Sequence, residues 1–230
     1  MMERFRAFFT KVISPVAHLL IRLGVRPDAV TFVGTLGVCA GALIFFPQGK
    51  LLTGVLVITA FVFSDLVDGA MARKVGRTDK FGAFLDSTLD RVADAALFGG
   101  MALFFAWQTE DRLYLCVSLV CLAMGSITSY ARARAEGLGM KADVGIAERS
   151  DRLVAILFTT GFCGWFVPDL ALLIVMGLLA LASLSTVVQR ILYVRKQALA
   201  PGRVDGVSTR DAQLAAAAKA SERSVGSRDA

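Results

Sequence analysis

A single histidine, His18, and four cysteines are all the imidazole and thiol groups that this 230-residue chain offers. Cys39, Cys116, Cys121 and Cys163 lie in apolar runs and form no C-x-x-C pair. They read as small core or lipid-facing residues, neither disulfides nor metal ligands. Charge is scarce as well: Asp, Glu, Lys and Arg make up 19% of the chain against 56% hydrophobic residues, and mean hydropathy is +0.63. Those values exclude an ordinary soluble domain and indicate a polytopic membrane protein built as one compact helical domain. No small-residue cleavage site follows a hydrophobic core in residues 1–24, so no cleaved signal is expected. There is no internal repeat. The net charge of +6 suits the positive-inside rule and attraction to anionic lipids or phosphorylated substrates, with no nucleic-acid partner expected.

Residues 3–23 repeat Phe5, Phe8, Phe9, Val12, Ile13, Val16, Leu19, Leu20 and Leu23 at helical spacing, with Arg4, Arg6, Lys11 and Arg22 as a basic complement. The pattern predicts an amphipathic helix in the membrane interface over residues 1–24, ended by Gly24 and Pro27. Six apolar segments follow, at about 28–47, 51–74, 80–107, 111–136, 147–167 and 169–195, so the expected fold is all-α with six transmembrane helices. Turns at 47–50 and 108–112 carry only Lys50 and Arg112, whereas the opposite loops hold many basic residues, among them Arg22, Arg26, Arg73, Lys74, Arg132, Arg149 and Arg190. Both termini are therefore expected on the cytoplasmic side of the membrane. Residues 197–230, rich in Ala, Ser, Gly, Arg and Asp, are expected to be a disordered cytoplasmic tail.

Within this oily chain, five aspartates fall in one 26-residue stretch, and four of them, Asp65, Asp68, Asp86 and Asp90, form two closely spaced pairs. Placing a carboxylate within the bilayer costs roughly 2.5–3.5 kcal/mol on insertion scales. The spacings i,i+3 and i,i+4 put each pair on one helix face. Anions so gathered need cations, and all-oxygen ligation suits Mg²⁺ or Mn²⁺ better than zinc. An ion-pair network of these carboxylates with Arg73 and Arg91 is the plainer alternative. Asp94 continues the i+4 series and is expected to pair with a nearby cation or to stay on the helix flank.

The full pattern is Asp65-x2-Asp68-Gly69-x2-Ala72-Arg73-x8-Gly82-x3-Asp86-x3-Asp90. Here the chain resembles the CDP-alcohol phosphotransferase family, whose signature D-x2-D-G-x2-A-R-x8-G-x3-D-x3-D it matches at every position. The resemblance covers residues 25–196, the expected six-helix domain. It implies two Mg²⁺ (or Mn²⁺) ions clamping a pyrophosphate, with Asp65 and Asp86 on both metals, Asp68 mainly on one, and Asp90 on the second. Asp90 would also be the general base on the incoming hydroxyl. Gly69, Ala72 and Gly82 remove bulk where a nucleotide or backbone must come close, and Arg73 can hold phosphate or balance carboxylate charge. The segment Pro27-Asp28-Ala29-Val30-Thr31 resembles the family's nucleotide-contacting P-N-x-x-T, with Asp28 in place of Asn. Pro27 at a first helical position could equally just start a helix. Thr78 and Asp79 lie close enough in sequence to reach CDP-diacylglycerol. A homodimer is implied by the family, and Gly99-Gly100 permit close helix packing.

The acceptor alcohol must be read elsewhere. S-Y-A-R-A-R-A-E-G at 129–137 and G-I-A-E-R-S-D-R at 145–152, with Arg190 and Arg195, can bring several guanidiniums round the aspartates' cavity. Convergent arginines suit an acceptor that already carries phosphate. Taken singly, each could instead be a positive-inside anchor. The paired R-x-R and E-R-x-x-R elements resemble the actinobacterial branch that joins inositol 1-phosphate to CDP-diacylglycerol. Arg132 and Arg152 are the leading acceptor ligands, followed by Arg134, Arg190 and Arg195. A glycerol 3-phosphate acceptor is the nearest alternative. From other classes, a divalent-cation transporter would need acids deep in several helices, and a membrane prenyltransferase would need two Asp-rich motifs on separate helices. A non-catalytic lipid-binding scaffold would leave the aspartates unexplained.

Overall fold

In hydrocarbon every backbone N–H must find a carbonyl within its own segment, which leaves the helix as the way for one apolar run to cross. The computed structural model describes residues 15–74, 80–146, 148–162 and 169–199, apart from the side chains of Asp65, Leu66, Asp68, Ala72, Arg73 and Asp169. All regular structure among these residues is helical. Residues 15–22 are helical (α1). Then come α2 (Pro27–Ala40), α3 (Leu51–Val62), α4 (Ser64–Lys74), α5 (Lys80–Phe104), α6 (Arg112–Gly137), α7 (Arg149–Phe162) and α8 (Asp169–Ala198). Most of the expected interfacial helix, Thr78 and Asp79, and the tail from 200 onward lie outside the described residues.

Local chemistry accounts for the helix ends. Pro27 opens α2 behind an extended Arg26 (φ −80°, ψ 144°), where a missing N–H costs nothing. Wider π turns at Gly41–Phe45 and Phe105–Thr109 finish α2 and α5, and the first runs on into a 3-10 turn, Phe46–Gln48. Gly49, at φ 74°, then reverses the chain in a conformation that suits glycine. Asp111 caps α6 by accepting from the amides of Leu113 (2.9 Å) and Tyr114 (3.2 Å).

One expectation needs correction. The single helix read over 51–74 is broken at Phe63 into α3 and α4. The hydroxyl of Ser64 donates to the carbonyl of Phe61 at 2.6 Å, a local bond that competes with the i−4 ladder. Gly34 of α2 sits directly against Ser64, so α2 presses on the break. The all-helical expectation holds, and three of the expected spans stand out. Among the described residues three helices are long and apolar enough to cross a membrane: 27–48, 112–137 and 170–198. The break shortens α3 to 12 residues, α7 has 14, and the first half of α5 carries Lys80, Asp86, Asp90, Arg91 and Asp94.

The core lies around the second half of α5. Ala93, Leu97, Phe98 and Met101 are buried with Val38 and Phe46 from α2 and its turn, Ile58 from α3, Ile156 from α7 and Met176 from α8. α5 packs on α2 and on α6, and α6 packs along α8. The α6–α8 seam is lined by Ser118, Thr128, Ser183 and Thr186, small polar residues that let backbones approach. The hydroxyls of Ser118, Thr128 and Thr186 bond back to carbonyls four residues earlier in their own helices, which satisfies these three donors inside the seam. The outward face of α8 shows Leu170, Ile174, Leu178, Leu181, Leu184 and Val188, all exposed.

The two ends of the bundle differ. At one end the side-chain amide of Gln108 donates to the carbonyl of Pro47 at 2.8 Å, tying the two basic-poor turns together. Elsewhere the ammonium of Lys74 donates to Nδ1 of His18 at 2.9 Å, which fixes α1 against the end of α4. The loop after α6 is clasped to α8 by a reciprocal pair: the Lys141 amide donates to Gln197 (3.0 Å), and the Gln197 amide donates to the Lys141 carbonyl (2.5 Å).

Of the two adjacent glycines noted in the sequence, Gly100 is used within the chain. A Cβ there would lie 2.5 Å from the carbonyl oxygen of Ala42, so bare backbone is what lets α5 meet α2. Gly99 faces open space. Gly100→Val should therefore cost about 1–3 kcal/mol through overpacking, while Gly99→Ala should leave stability nearly unchanged. Thermal unfolding of the two purified variants in detergent measures this, and equal melting temperatures would contradict the assigned contact.

Candidate active site

The aspartate pattern is divided between α4, which carries positions 65 and 68, and the first half of α5, which carries Asp86 and Asp90. The Asp65, Asp68, Ala72 and Arg73 side chains fall outside the described set. Among the described residues no cluster of three or more acidic, His or Cys side chains is gathered for a metal. Asp86 is exposed, Asp90 half-buried and Asp94 buried, so the series runs from solvent into the protein down one face of α5. Gly69 and Gly82 are partly buried in α4 and α5.

α2 packs against both α4 and α5, which brings the first turn of α2 into the aspartates' neighbourhood. That turn contains Pro27, Asp28, Ala29, Val30 and Thr31. Thr31 is buried and donates its hydroxyl to the carbonyl of Pro27 at 3.2 Å, an ordinary helix-start bond.

Asp90 is not alone on its helix face. Nη1 of Arg149 stands 2.7 Å from Asp90 Oδ1, and Nε of the same guanidinium is 3.1 Å from Asp94 Oδ1. Arg91 reaches Asp90 and Asp94 at 3.7 and 3.6 Å, and also donates to the hydroxyl of Ser129 on α6. Arg152, fully buried, approaches Asp94 Oδ2 at 3.7 Å. A Cβ at Gly125 of α6 would lie 3.7 Å from this guanidinium, so a small residue leaves it room. Asp94 thus has the cationic partners expected of it.

The expected acceptor arginines separate into three groups. Arg132 and Arg190 line one cavity of about 210 Å³ with Asp143, Val144, Gly145 and Glu148. Arg132 is exposed and pairs with Glu136 and Asp143, both at 2.9 Å. Arg190 is buried and braces the loop after α6, donating to the carbonyls of Val144 (2.9 Å) and Thr128 (2.5 Å). Arg152 stands apart at Asp94, though within electrostatic reach of Arg190. Arg134 and Arg195 are exposed and do not line the cavity. The loop is held further by Thr186, whose hydroxyl accepts from the Ile146 amide at 3.1 Å, and by Gly145 at φ 143° beside it.

Sequence reasoning overlooked Arg149 as a site residue. Its signal lay in the E-R-x-x-R element: Glu148 and Arg149 are adjacent, so the residue that follows the cavity wall is the one that meets Asp90.

Residues 25–200 match the family profile described as CDP-alcohol phosphatidyltransferase. Over 198 residues the chain is 52% identical to the phosphatidylinositol phosphate synthase of Streptomyces avermitilis, covering 84% of this chain and 81% of that one. It is 47% identical over 205 residues to the enzyme of the same name from Cutibacterium acnes, covering 85% and 98%. The crystal structure of Mycobacterium tuberculosis phosphatidylinositol phosphate synthase with CDP-DAG bound superposes with a TM-score of 0.79 at 42% identity, over 86% of this chain and 99% of that chain. A second crystal structure of the mycobacterial protein, in complex with manganese and citrate, gives 0.77 at 42% identity, over 85% and 93%.

The two carbonyl contacts of Arg190 make the loop over 138–148 dependent on it. Arg190→Lys removes the planar fork and should lower local loop stability by about 1.5–3 kcal/mol. Hydrogen–deuterium exchange over residues 141–146 would then run roughly ten- to a hundredfold faster. Unchanged exchange would show that Arg190 does not brace the loop.

Proposed function

The chain belongs to the CDP-alcohol phosphatidyltransferase family, and from that premise we propose that it transfers the phosphatidyl group of CDP-diacylglycerol to inositol 1-phosphate. The products would be phosphatidylinositol phosphate and CMP. The observation that carries this reading is the junction at 148–149: Glu148 walls a cavity that Arg132 and Arg190 share with Asp143, and the next residue, Arg149, holds Asp90 at 2.7 Å. A phosphorylated acceptor in that cavity would lie beside the carboxylate best placed to deprotonate it. The names of the similar enzymes support the same acceptor.

Asp65, Asp68, Asp86 and Asp90 would hold two divalent ions, Mg²⁺ or Mn²⁺. The donor chemistry fits: Asp86 and Asp90 supply oxygen only and lie one helical turn apart on α5. Bound there, such ions would shield phosphoryl oxygens and help charge leave with CMP. Asp90 takes the proton of the acceptor hydroxyl. The hydroxyl oxygen bonds to the lipid-attached β-phosphorus as the bridging P–O bond breaks, and CMP carries away the electron pair. Arg132 and Arg190 hold the acceptor phosphate, with Arg152, Arg134 and Arg195 contributing positive potential behind them. Pro27 to Thr31, Gly69, Ala72, Arg73, Thr78, Asp79 and Gly82 serve the nucleotide side.

The lipid tails of CDP-diacylglycerol would stay in the bilayer. In this reading the chain is a multi-pass protein of the cytoplasmic membrane, with active site and both termini on the cytoplasmic side. α3 with α4, α5 and α7 complete six crossings, and α5 at about 37 Å is long enough to span and still protrude. The functional unit is a homodimer.

The test is CMP release from CDP-diacylglycerol by the purified protein with each of inositol 1-phosphate, free inositol, glycerol 3-phosphate and serine. Inositol 1-phosphate should be preferred by roughly tenfold or more in kcat/KM. Preference for glycerol 3-phosphate would overturn the acceptor assignment. Asp90→Asn should cut kcat by about a hundredfold or more, and near-normal turnover would remove Asp90 as the base.

A further inference from the structure

Asp94 stands outside the signature pattern, yet the protein buries it. It is 7% exposed, and its Oδ2 accepts no hydrogen bond among the described residues, with Arg91 and Arg152 standing 3.6 and 3.7 Å away. A buried carboxylate with one oxygen so poorly served is costly unless its other contacts do something. The other oxygen does. Asp94 Oδ1 meets Nε of Arg149 at 3.1 Å, and the far end of that same planar guanidinium meets Asp90 Oδ1 at 2.7 Å. Asp90 and Asp94 are four residues apart, so they stack on one face of α5 and repel each other. A guanidinium inserted across both satisfies the two carboxylates with one rigid group. Lysine, a flexible point charge, could not do the same.

We propose that Arg149 is a positioning residue that fixes the orientation of the Asp90 carboxylate, and that buried Asp94 is the anchor holding Arg149 in place. The inference rests on the reading of Asp90 as the general base. With Oδ1 tied to Arg149, rotation of the Asp90 carboxylate about its Cβ–Cγ bond is restricted, and its second oxygen has a defined direction. Arg91 closes the arrangement from the opposite side, braced by the hydroxyl of Ser129. Arg149 also begins α7 directly after the cavity wall, so the base and the acceptor site share one mechanical connection.

The experiment measures CMP release with CDP-diacylglycerol and inositol 1-phosphate for Arg149→Lys, Asp94→Asn, their double variant and Asp90→Asn. Arg149→Lys should lower kcat about ten- to a hundredfold while the KM of each substrate stays within about threefold. Asp94→Asn, which keeps the shape and removes the anchoring charge, should do the same more weakly. Because Asp94 acts through Arg149, it should cost nothing further in the double variant. In the Arg149 and Asp94 variants, Mn²⁺ binding followed by electron paramagnetic resonance, and melting temperature in detergent, should both stay near those of the unaltered protein.

Full kcat in Arg149→Lys overturns the proposal. So does a selective rise in acceptor KM, which would make Arg149 a phosphate ligand. Multiplicative losses in the double variant with a lowered melting temperature would assign both residues a merely structural role. Should Asp90→Asn itself turn over normally, the assignment of the base fails, and that result is separable from the three above.

Discussion

Carboxylates on a helix that runs into an apolar core must be matched by positive charge, and the arrangement of this protein follows from how α5 meets that demand. Its second half is apolar and closely packed, down to bare backbone at Gly100 against Ala42. Its first half carries Asp86, Asp90 and Asp94 in successive turns and recruits Arg91, Arg149 and Arg152. The packed half acts as a rigid stem. It fixes the height and rotation of the charged half relative to α2 on one side and α6 on the other.

The division of labour follows from that stem. On the α2–α4 side lie the first turn of α2 and the aspartate positions 65 and 68, the residues proposed for the liponucleotide. On the other side a loop between α6 and α7 is held by Arg190, Thr186 and Gln197, all from α8. Buried ionisable side chains in a membrane protein are rare, and here Arg190 serves this loop while Arg152 pairs with Asp94. The long α8 therefore has two roles: its outward leucines and isoleucine form an exposed apolar face on a helix long enough to cross a membrane, and its inward polar residues set the shape of the cavity.

Much of this was readable from residue order. Long apolar runs bounded by Pro47-Gln48-Gly49 and Gln108-Thr109-Glu110 marked helices because a run of that length satisfies its own backbone in lipid only as a helix, barrel strands being shorter and alternating. The eight-residue signature marked the chemistry, since those spacings recur on two helix faces. The break at Phe63 was hidden because it depends on Ser64 bonding back to Phe61 under pressure from Gly34, thirty residues away in sequence. Arg149 was hidden for a different reason. Among many basic residues that all satisfy the positive-inside rule, the E-R-x-x-R element marks a group of arginines without saying which one meets a carboxylate 59 residues earlier. Gly100 carries a close-packing signal in the sequence, but its partner is a segment of the same chain.

The central claim is that the aspartates of α4 and α5 act together as an all-oxygen cradle for divalent cations. Anomalous X-ray scattering at the manganese edge, from crystals of this protein grown with Mn²⁺, tests it most directly. The account predicts anomalous peaks between α4 and α5 within about 2.5 Å of carboxylate oxygens from Asp65, Asp68, Asp86 and Asp90. Peaks elsewhere in the molecule, or none between these helices while both carry ordered carboxylates, would contradict it.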